Sequence, residues 1–241
     1  MELMNFPERA IILAGGFGKR LRPLTYEIPK PLIPVQGITL TEHNILLLKH
    51  FGVKHITLSL GYMADKVVEY FKSRDMGVEI DYVIEREPLG TAGPLILMKK
   101  INKTFVMTNG DNLFAIDFRK MFEFHRKNNA MATIGLTRVD DPSHFGVARM
   151  SGDRIIEFVE KPKIEEAPSN LINSGYYILE PEIFDIVSGM KTAMMEKDVF
   201  PKIAASGRLY GFYDKGQWFD TGTFERWEKV IKEWRGLDNY K

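Results

Sequence analysis

The chain has 241 residues, 44% of them hydrophobic, enough for one large α/β domain or two small ones around a sizeable core. Lysine and arginine (33) nearly balance aspartate and glutamate (32), so no broad basic field argues for nucleic acid or an acidic membrane surface. The absence of cysteine rules out disulfides, thiolate metal sites and a cysteine nucleophile, and fits a cytoplasmic protein.

Glu2, Glu8 and Arg9 interrupt the apolar start, so no signal peptide is expected. No apolar run approaches the roughly 20 residues of a membrane helix, so no membrane partner is expected either. Along the chain, the run Ala10-Ile11-Ile12-Leu13 makes 9–13 a buried parallel strand. A helix follows at 39–51, apolar on several sides, with Ile45, Leu46, Leu47 and Leu48 expected in the core. Strands at 55–60, 78–84 and 104–108 then alternate with helices at 64–71, 92–100 and 117–128. This alternation predicts a mostly parallel sheet with right-handed crossovers and ligands at the strands' carboxyl ends.

From Met131 the texture changes. Short strands at 131–137, 146–150, 154–159 and 173–179 are separated by Gly, Asp, Pro and Ser, with a hairpin turn at Ser151-Gly152-Asp153. They suggest a mixed-sheet extension forming a lid or second wall to a pocket. Residues 161–170 read as a mobile loop, and helices close the chain at 198–205 and 223–234. The five histidines, His43, His50, His55, His125 and His144, show no metal-ligand spacing and are expected on helix surfaces or loops. Trp218, Phe219, Trp227 and Trp234 read as packing or a subunit contact, which leaves homo-oligomerisation open.

The most informative stretch follows the first strand. Residues 14–25 read AGGFGKRLRPLT and residues 29–35 read PKPLIPV. Glycines let backbone approach phosphate oxygens closely, and Lys19, Arg20 and Arg22 offset their charge. A tight strand-to-helix turn with solvated cations is the alternative, but it leaves the second proline-lysine-proline element unexplained. Together the two elements resemble the sugar-1-phosphate nucleotidylyltransferases. The pattern G-G-x-G-x-R-L-x-P-L-T, then P-K-P-L-x-P, is matched from Gly15 to Thr25 and from Pro29 to Pro34. Lys19 stands where that family often has Thr or Ser, and adds a positive charge.

The resemblance extends to other segments. Asp111, in Thr108-Asn109-Gly110-Asp111, and Asp220, in Phe219-Asp220-Thr221-Gly222, match family positions that hold magnesium. Mg²⁺ takes hard oxygen ligands and keeps phosphate oxygens in its sphere, so two carboxylates suffice when substrates supply the rest. An Asx turn for Asp111 and a helix cap for Asp220 are the structural alternatives. Phe158-Val159-Glu160-Lys161-Pro162 resembles a segment whose glutamate binds sugar hydroxyls and whose lysine pairs with the sugar phosphate. Gly146 and Asn173 match further sugar-pocket positions; a surface charge pair is the other reading of Glu160 and Lys161.

The segment from Glu85 to Gly93, EREPLGTAG, looks most like the mannose-1-phosphate guanylyltransferases, with heptose-1-phosphate guanylyltransferases as shorter relatives. An ionised glutamate only accepts hydrogen bonds, and guanine offers adjacent N1–H and N2–H donors. A solvated strand-end charge is the alternative for Glu85.

The resemblance thus implies an α/β, Rossmann-like nucleotidyltransferase domain with a mixed, mostly parallel sheet. Residues 1–241 would form one domain, with a nucleotide-binding core over 1–130. Residues 131–241 would hold the sugar-binding portion and the C-terminal helices. Some members continue into a left-handed β-helix, which these 241 residues are not expected to include. The implied partners are a nucleoside triphosphate, favoured as GTP, and a sugar 1-phosphate, favoured as mannose 1-phosphate over glucose or heptose 1-phosphate, with Mg²⁺ as cofactor. Arg20 and Lys30 would be catalytic. Leu13, Ala14, Gly15, Gly16, Gly18, Lys19, Glu85, Gly90 and Thr91 would bind the nucleotide. Gly146, Glu160, Lys161 and Asn173 would bind the sugar, and Asp111 and Asp220 the metal. Two other classes stay open: a nucleotide-sugar-binding regulatory subunit without turnover, and a dinucleotide oxidoreductase. The loop spacing G-G-x-G-x-R, rather than G-x-G-x-x-G, counts against the latter.

Overall fold

A computed structural model describes residues 6–236; Glu2, used above against a signal peptide, lies outside them. The chain forms two compact units that interleave in sequence. One comprises the residues up to Pro88, Met107–Ala115 and the chain from Gly216 onward; the other comprises Leu89–Val106 and Ile116–Lys215. The expected division near residue 130 therefore does not match the compact units, because the C-terminal helix packs with the N-terminal segments.

In the first unit, Arg9–Leu13 pairs in parallel with His55–Leu60, which pairs in parallel with Glu79–Ile84. The registers Leu13↔Ser59 and Leu60↔Ile84 bring the carboxyl ends of all three strands together. Gly110 N–H donates to the Leu13 carbonyl at 2.8 Å, so the turn after the strand Phe105–Asn109 reaches the same end. The helix Leu40–His50 starts at a capping box, in which Thr39 accepts from Glu42 N–H and the Glu42 carboxylate accepts from Thr39 N–H. Ile45, Leu47 and Leu48 are buried as expected, but Leu46 is 41% exposed. Four consecutive apolar residues span about 300° of a helix and cannot all face one core.

A separate cluster ties the far end of the chain to the loop region. Leu21, Ile33, Val35 and Leu40 bury against Leu113, Ala115, Val230 and Trp234, with Phe219 and Trp227 packed alongside. Each fully buried Leu, Ile or Val side chain among them contributes about 1.5–3 kcal/mol. Trp227 Nε1 also donates to the Pro34 carbonyl at 2.8 Å. Phe219, Trp227 and Trp234 are therefore packing residues.

The second unit is mixed. Leu171–Leu179 runs antiparallel to Ala132–Arg138, which pairs in parallel with Leu209–Tyr213. Arg154–Glu160 lies antiparallel to Leu209–Tyr213 and to Gly146–Ser151, joined to the latter by the two-residue turn at Gly152 and Asp153. The chain is thus α/β, parallel where strands alternate with helices and mixed where hairpins take over.

Three local expectations need correction. The helix expected at 92–100 is only Gly93–Leu97, because Met98 leaves it in extended conformation. The helix expected at 198–205 begins at Phe200, after a single π turn at Met195–Val199. His125 is buried, not on a surface. The helix Phe118–Lys127 turns Phe118, Met121, Phe122 and His125 inward at helical spacing. His125 meets Thr133 Oγ1 at 2.8 Å and Glu180 Oε1 at 3.0 Å. Among the described residues no helix is long and apolar enough to cross a membrane.

Candidate functional site

The glycine-rich loop begins where the Arg9–Leu13 strand ends. Gly15 packs on Gly61 so closely that a Cβ on Gly61 would lie 2.8 Å from the Gly15 carbonyl oxygen. Gly16 is exposed, with nothing within 4 Å of an added Cβ, so its backbone is open to an incoming group. Gly18 has φ +60, and its carbonyl accepts from Thr25 Oγ1 at 3.0 Å. Thr25 thus staples the loop closed, a role the motif match did not separate from the rest. A single 3₁₀ turn, Lys19–Leu21, buries Leu21 and leaves Lys19 and Arg20 exposed. Lys19 lies 5.6 Å from the Phe17 ring centroid, which in turn stacks near Tyr62 at 5.4 Å.

Arg20 takes another direction. An added Cβ on Gly222 would sit 2.5 Å from its guanidinium nitrogen and 2.8 Å from Asp220 Oδ1, so all three groups meet. Asp220 ends the strand Trp218–Asp220, which pairs antiparallel with Asn112–Phe114 so that Asp220 faces Asn112. Thr221 donates to the Asp111 carbonyl through both N–H and Oγ1, at 3.2 and 2.7 Å. This two-stranded ribbon is what brings together two aspartates more than a hundred residues apart. Asp220 is not the helix cap that was the alternative for it. Thr223 caps the following helix Phe224–Glu233, while Asp220 accepts from Gly222 N–H at 2.6 Å and from the Arg226 guanidinium.

The mostly buried Lys30 ammonium lies 2.6 Å from Asp111 Oδ2. Burial pushes the Asp111 carboxyl up, but the Lys30 charge and hydrogen bond, with Arg20 nearby, hold it below the usual carboxylate range. The resulting set is Arg20, Lys30 and Arg226 around Asp111 and Asp220. No group of three or more His, Cys, Asp or Glu able to hold a metal occurs among the described residues. Two hard carboxylates fit Mg²⁺ only with oxygens from a polyphosphate completing its sphere. Arg226 carried no signal in the sequence, six residues beyond Asp220 on a helix with other charges.

Glu85 follows the Glu79–Ile84 strand, at the same end as Leu13. Its N–H donates to the Leu60 carbonyl at 2.8 Å, and its carboxylate accepts from the buried Ser59 hydroxyl at 2.8 Å. The carboxylate is therefore oriented rather than a free surface charge.

In the second unit, Gly90 adopts φ +89 against the Ala193 carbonyl, and Thr91 bridges Glu196 and Met195 N–H, both at 2.8 Å. Gly146 pairs with Glu160, whose carboxylate would lie 3.2 Å from an added Cβ on Gly146. Lys161 adopts φ +45, which turns the chain out of the strand, and its ammonium lies 3.7 Å from Glu160. Asn173 neighbours this group through the pair Ile172↔Val147. Its amide donates to Tyr177 Oη at 3.0 Å and accepts from Gly175 N–H at 2.9 Å across an irregularity in the strand. Gly146, Glu160 and Asn173 thus come from three neighbouring strands, with Lys161 at the turn just after Glu160.

A family model described as nucleotidyl transferase matches residues 9–235. The chain is 40% identical over 222 residues to a mannose-1-phosphate guanyltransferase of Yarrowia lipolytica, covering 89% of this chain and 60% of that protein. It thus spans about three fifths of the length of that curated relative. A putative glucose-1-phosphate thymidylyltransferase from Bacillus anthracis, in complex with a sucrose, superimposes with TM-score 0.84 at 29% identity, covering 95% of each chain. HddC from Yersinia pseudotuberculosis, complexed with GMP-PN, superimposes with TM-score 0.75 at 27% identity, covering 97% of this chain and 100% of that one.

Proposed function

Because this chain belongs to the nucleotidyl transferase family, we propose that it joins GTP to mannose 1-phosphate, giving GDP-mannose and pyrophosphate. The observation that carries the reading is the convergence of Arg20, Lys30, Asp111 and Asp220 beside an open glycine-rich loop. The guanine and mannose assignments draw support from the 40% identity to a mannose-1-phosphate guanyltransferase. The Ser59-oriented carboxylate of Glu85 is suited to accept from guanine N1–H and N2–H.

In the proposed reaction a sugar-phosphate oxygen forms a new bond to the α-phosphorus. The bond from that phosphorus to the bridging oxygen breaks, and pyrophosphate departs with the electron pair. The attacking phosphate is already anionic, so no protein base or nucleophile is required, and catalysis is alignment and charge neutralisation. Arg20 meets charge on the triphosphate, Lys30 positions Asp111 and adds positive potential, and Asp111 and Asp220 would hold Mg²⁺. That ion, when bound, would neutralise phosphate oxygens. Lys161 is assigned to the sugar phosphate, and Glu160, Asn173 and Gly146 to the sugar. The oriented carboxylates and cations favour turnover over a purely regulatory, nucleotide-sugar-binding role.

A second reading keeps the guanine and changes the sugar, to a heptose or glucose 1-phosphate. The guanine is supported by the match along the whole length of HddC complexed with GMP-PN, and a glucose 1-phosphate by the likeness to a putative glucose-1-phosphate thymidylyltransferase. The test is pyrophosphate release with Mg²⁺ across five nucleoside triphosphates and mannose, glucose and heptose 1-phosphates. GTP with mannose 1-phosphate should give the highest kcat/KM. A pyrimidine nucleotide preference would overturn the guanine assignment, and folded protein without turnover on any pair would favour the regulatory role.

A further inference from the structure

We infer that Arg226 is a positioning residue that holds the Asp220 carboxylate in an ion pair and denies it to a bare divalent cation, so that metal enters this site only together with a polyphosphate. The inference rests on the reading of Asp220 as a metal ligand.

The local arrangement carries it. One oxygen of Asp220 is held by Gly222 N–H at 2.6 Å, and the other by the Arg226 guanidinium. The Asp220 side chain is only 13% exposed and Arg226 is 32% exposed, so the pair is partly withdrawn from water and weakly screened. Arg226 is not free to drift away along the surface. Thr223 accepts from its N–H at 3.3 Å at the helix start, and the next residue, Trp227, packs on the Leu21–Trp234 cluster. The other aspartate is held as well, by Lys30 at 2.6 Å. With Arg20 also present, three cationic side chains surround two carboxylates, and both carboxylates are engaged before any substrate arrives.

A bare divalent ion approaching Asp220 would meet a guanidinium already on its ligand and a local excess of positive charge. A nucleoside triphosphate reverses the balance, because its oxygens offer the guanidinium other acceptors and bring several negative charges with the metal. Arg226 thereby makes metal capture conditional on the nucleotide.

The test uses Mn²⁺ as the probe, titrated into the whole protein and read by electron paramagnetic resonance, without nucleotide and with a non-hydrolysable GTP analogue. Free wild-type protein should bind Mn²⁺ weakly. Arg226→Gln and Arg226→Met should bind bare Mn²⁺ about tenfold or more tightly, whereas Arg226→Lys, which keeps the charge, should stay near wild type. Adding Asp220→Asn to Arg226→Gln should erase the gain. With the analogue present, Asp220→Asn alone should weaken Mn²⁺ binding. If it does not, Asp220 is no ligand, and the metal reading falls together with this inference. If it does, yet both neutral Arg226 variants bind bare Mn²⁺ no better than wild type, the inference alone is overturned. Thermal unfolding of each variant checks that binding is compared between folded proteins.

Discussion

Replacing Gly222 by alanine tests the geometry of the phosphate site without removing any charge. The new methyl carbon would lie 2.5 Å from an Arg20 guanidinium nitrogen, 3.1 Å from its central carbon and 2.8 Å from Asp220 Oδ1. Ordinary contacts between such atoms begin near ~3.5 Å, so Arg20 must retreat by about 1 Å and Asp220 by about 0.7 Å. Both obstructing groups are the ends of side chains, so the fold absorbs the change at a cost of ~1 kcal/mol or slightly more. Alignment chemistry is less forgiving, since a displacement of ~1 Å can cost ~100-fold in rate. We expect kcat/KM for pyrophosphate release to fall about 30- to 100-fold, or ~2–2.7 kcal/mol of barrier, with Tm lowered by only a few degrees. A double-mutant cycle with Arg20→Ala adds a sharper criterion. If the methyl acts by displacing Arg20, the two losses will be far from additive. Turnover within about threefold of wild type in folded Gly222→Ala would refute the claim that Arg20 and Asp220 work from their positions against Gly222.

Glu85→Gln keeps an oxygen for Ser59 but presents guanine with a donor as well as an acceptor. GTP efficiency should drop about ten- to a hundredfold relative to UTP and dTTP, read as kcat/KM across nucleotides, and an unchanged preference would move specificity elsewhere. Lys30→Met leaves the effect of burial on Asp111 opposed only by a backbone hydrogen bond and, less strongly, by the Arg20 charge. In the wild type the folded carboxyl titrates below its unfolded value of ~3.9, so the pair stabilises the fold above that pH and loses its contribution as pH falls through the lower folded value. Because the Asp111 side chain is 44% exposed, the loss in Lys30→Met should be at most ~1 kcal/mol at pH 7 and should shrink towards pH 3 in urea titrations. A deficit independent of pH would point to packing rather than charge. His125→Phe removes a partner from both Thr133 and Glu180 in the second unit and should cost ~2–3 kcal/mol in urea unfolding. A loss below ~0.5 kcal/mol would show that this buried contact contributes little.

Much of the fold was legible because periodicity is a local property. The strands Arg9–Leu13 and His55–Leu60 and the helix Leu40–His50 follow from runs of apolar residues. Reading by residue type failed where position on the helix decides which side chains face inward. Leu46 looks like its core neighbours but faces out, and His125 looks polar but occupies an inward helical position. The helix at Gly93–Leu97 stops early although the following residues have ordinary helix propensity, a case of context overriding it.

The sequence by itself determined the chemistry available: glycines for close backbone approach, cations for phosphate, carboxylates for a hard metal ion, and their order along the chain. Those properties belong to residue types and short spacings, and need no partner to be read. Only the tertiary structure decided which of them act together. The ribbon of Asn112–Phe114 with Trp218–Asp220 brings two distant aspartates side by side, and the cluster around Leu21 and Trp234 sets the helix that carries Arg226 against Asp220. Ion pairs of that kind depend on distance in space, and separation along the chain leaves no trace of it.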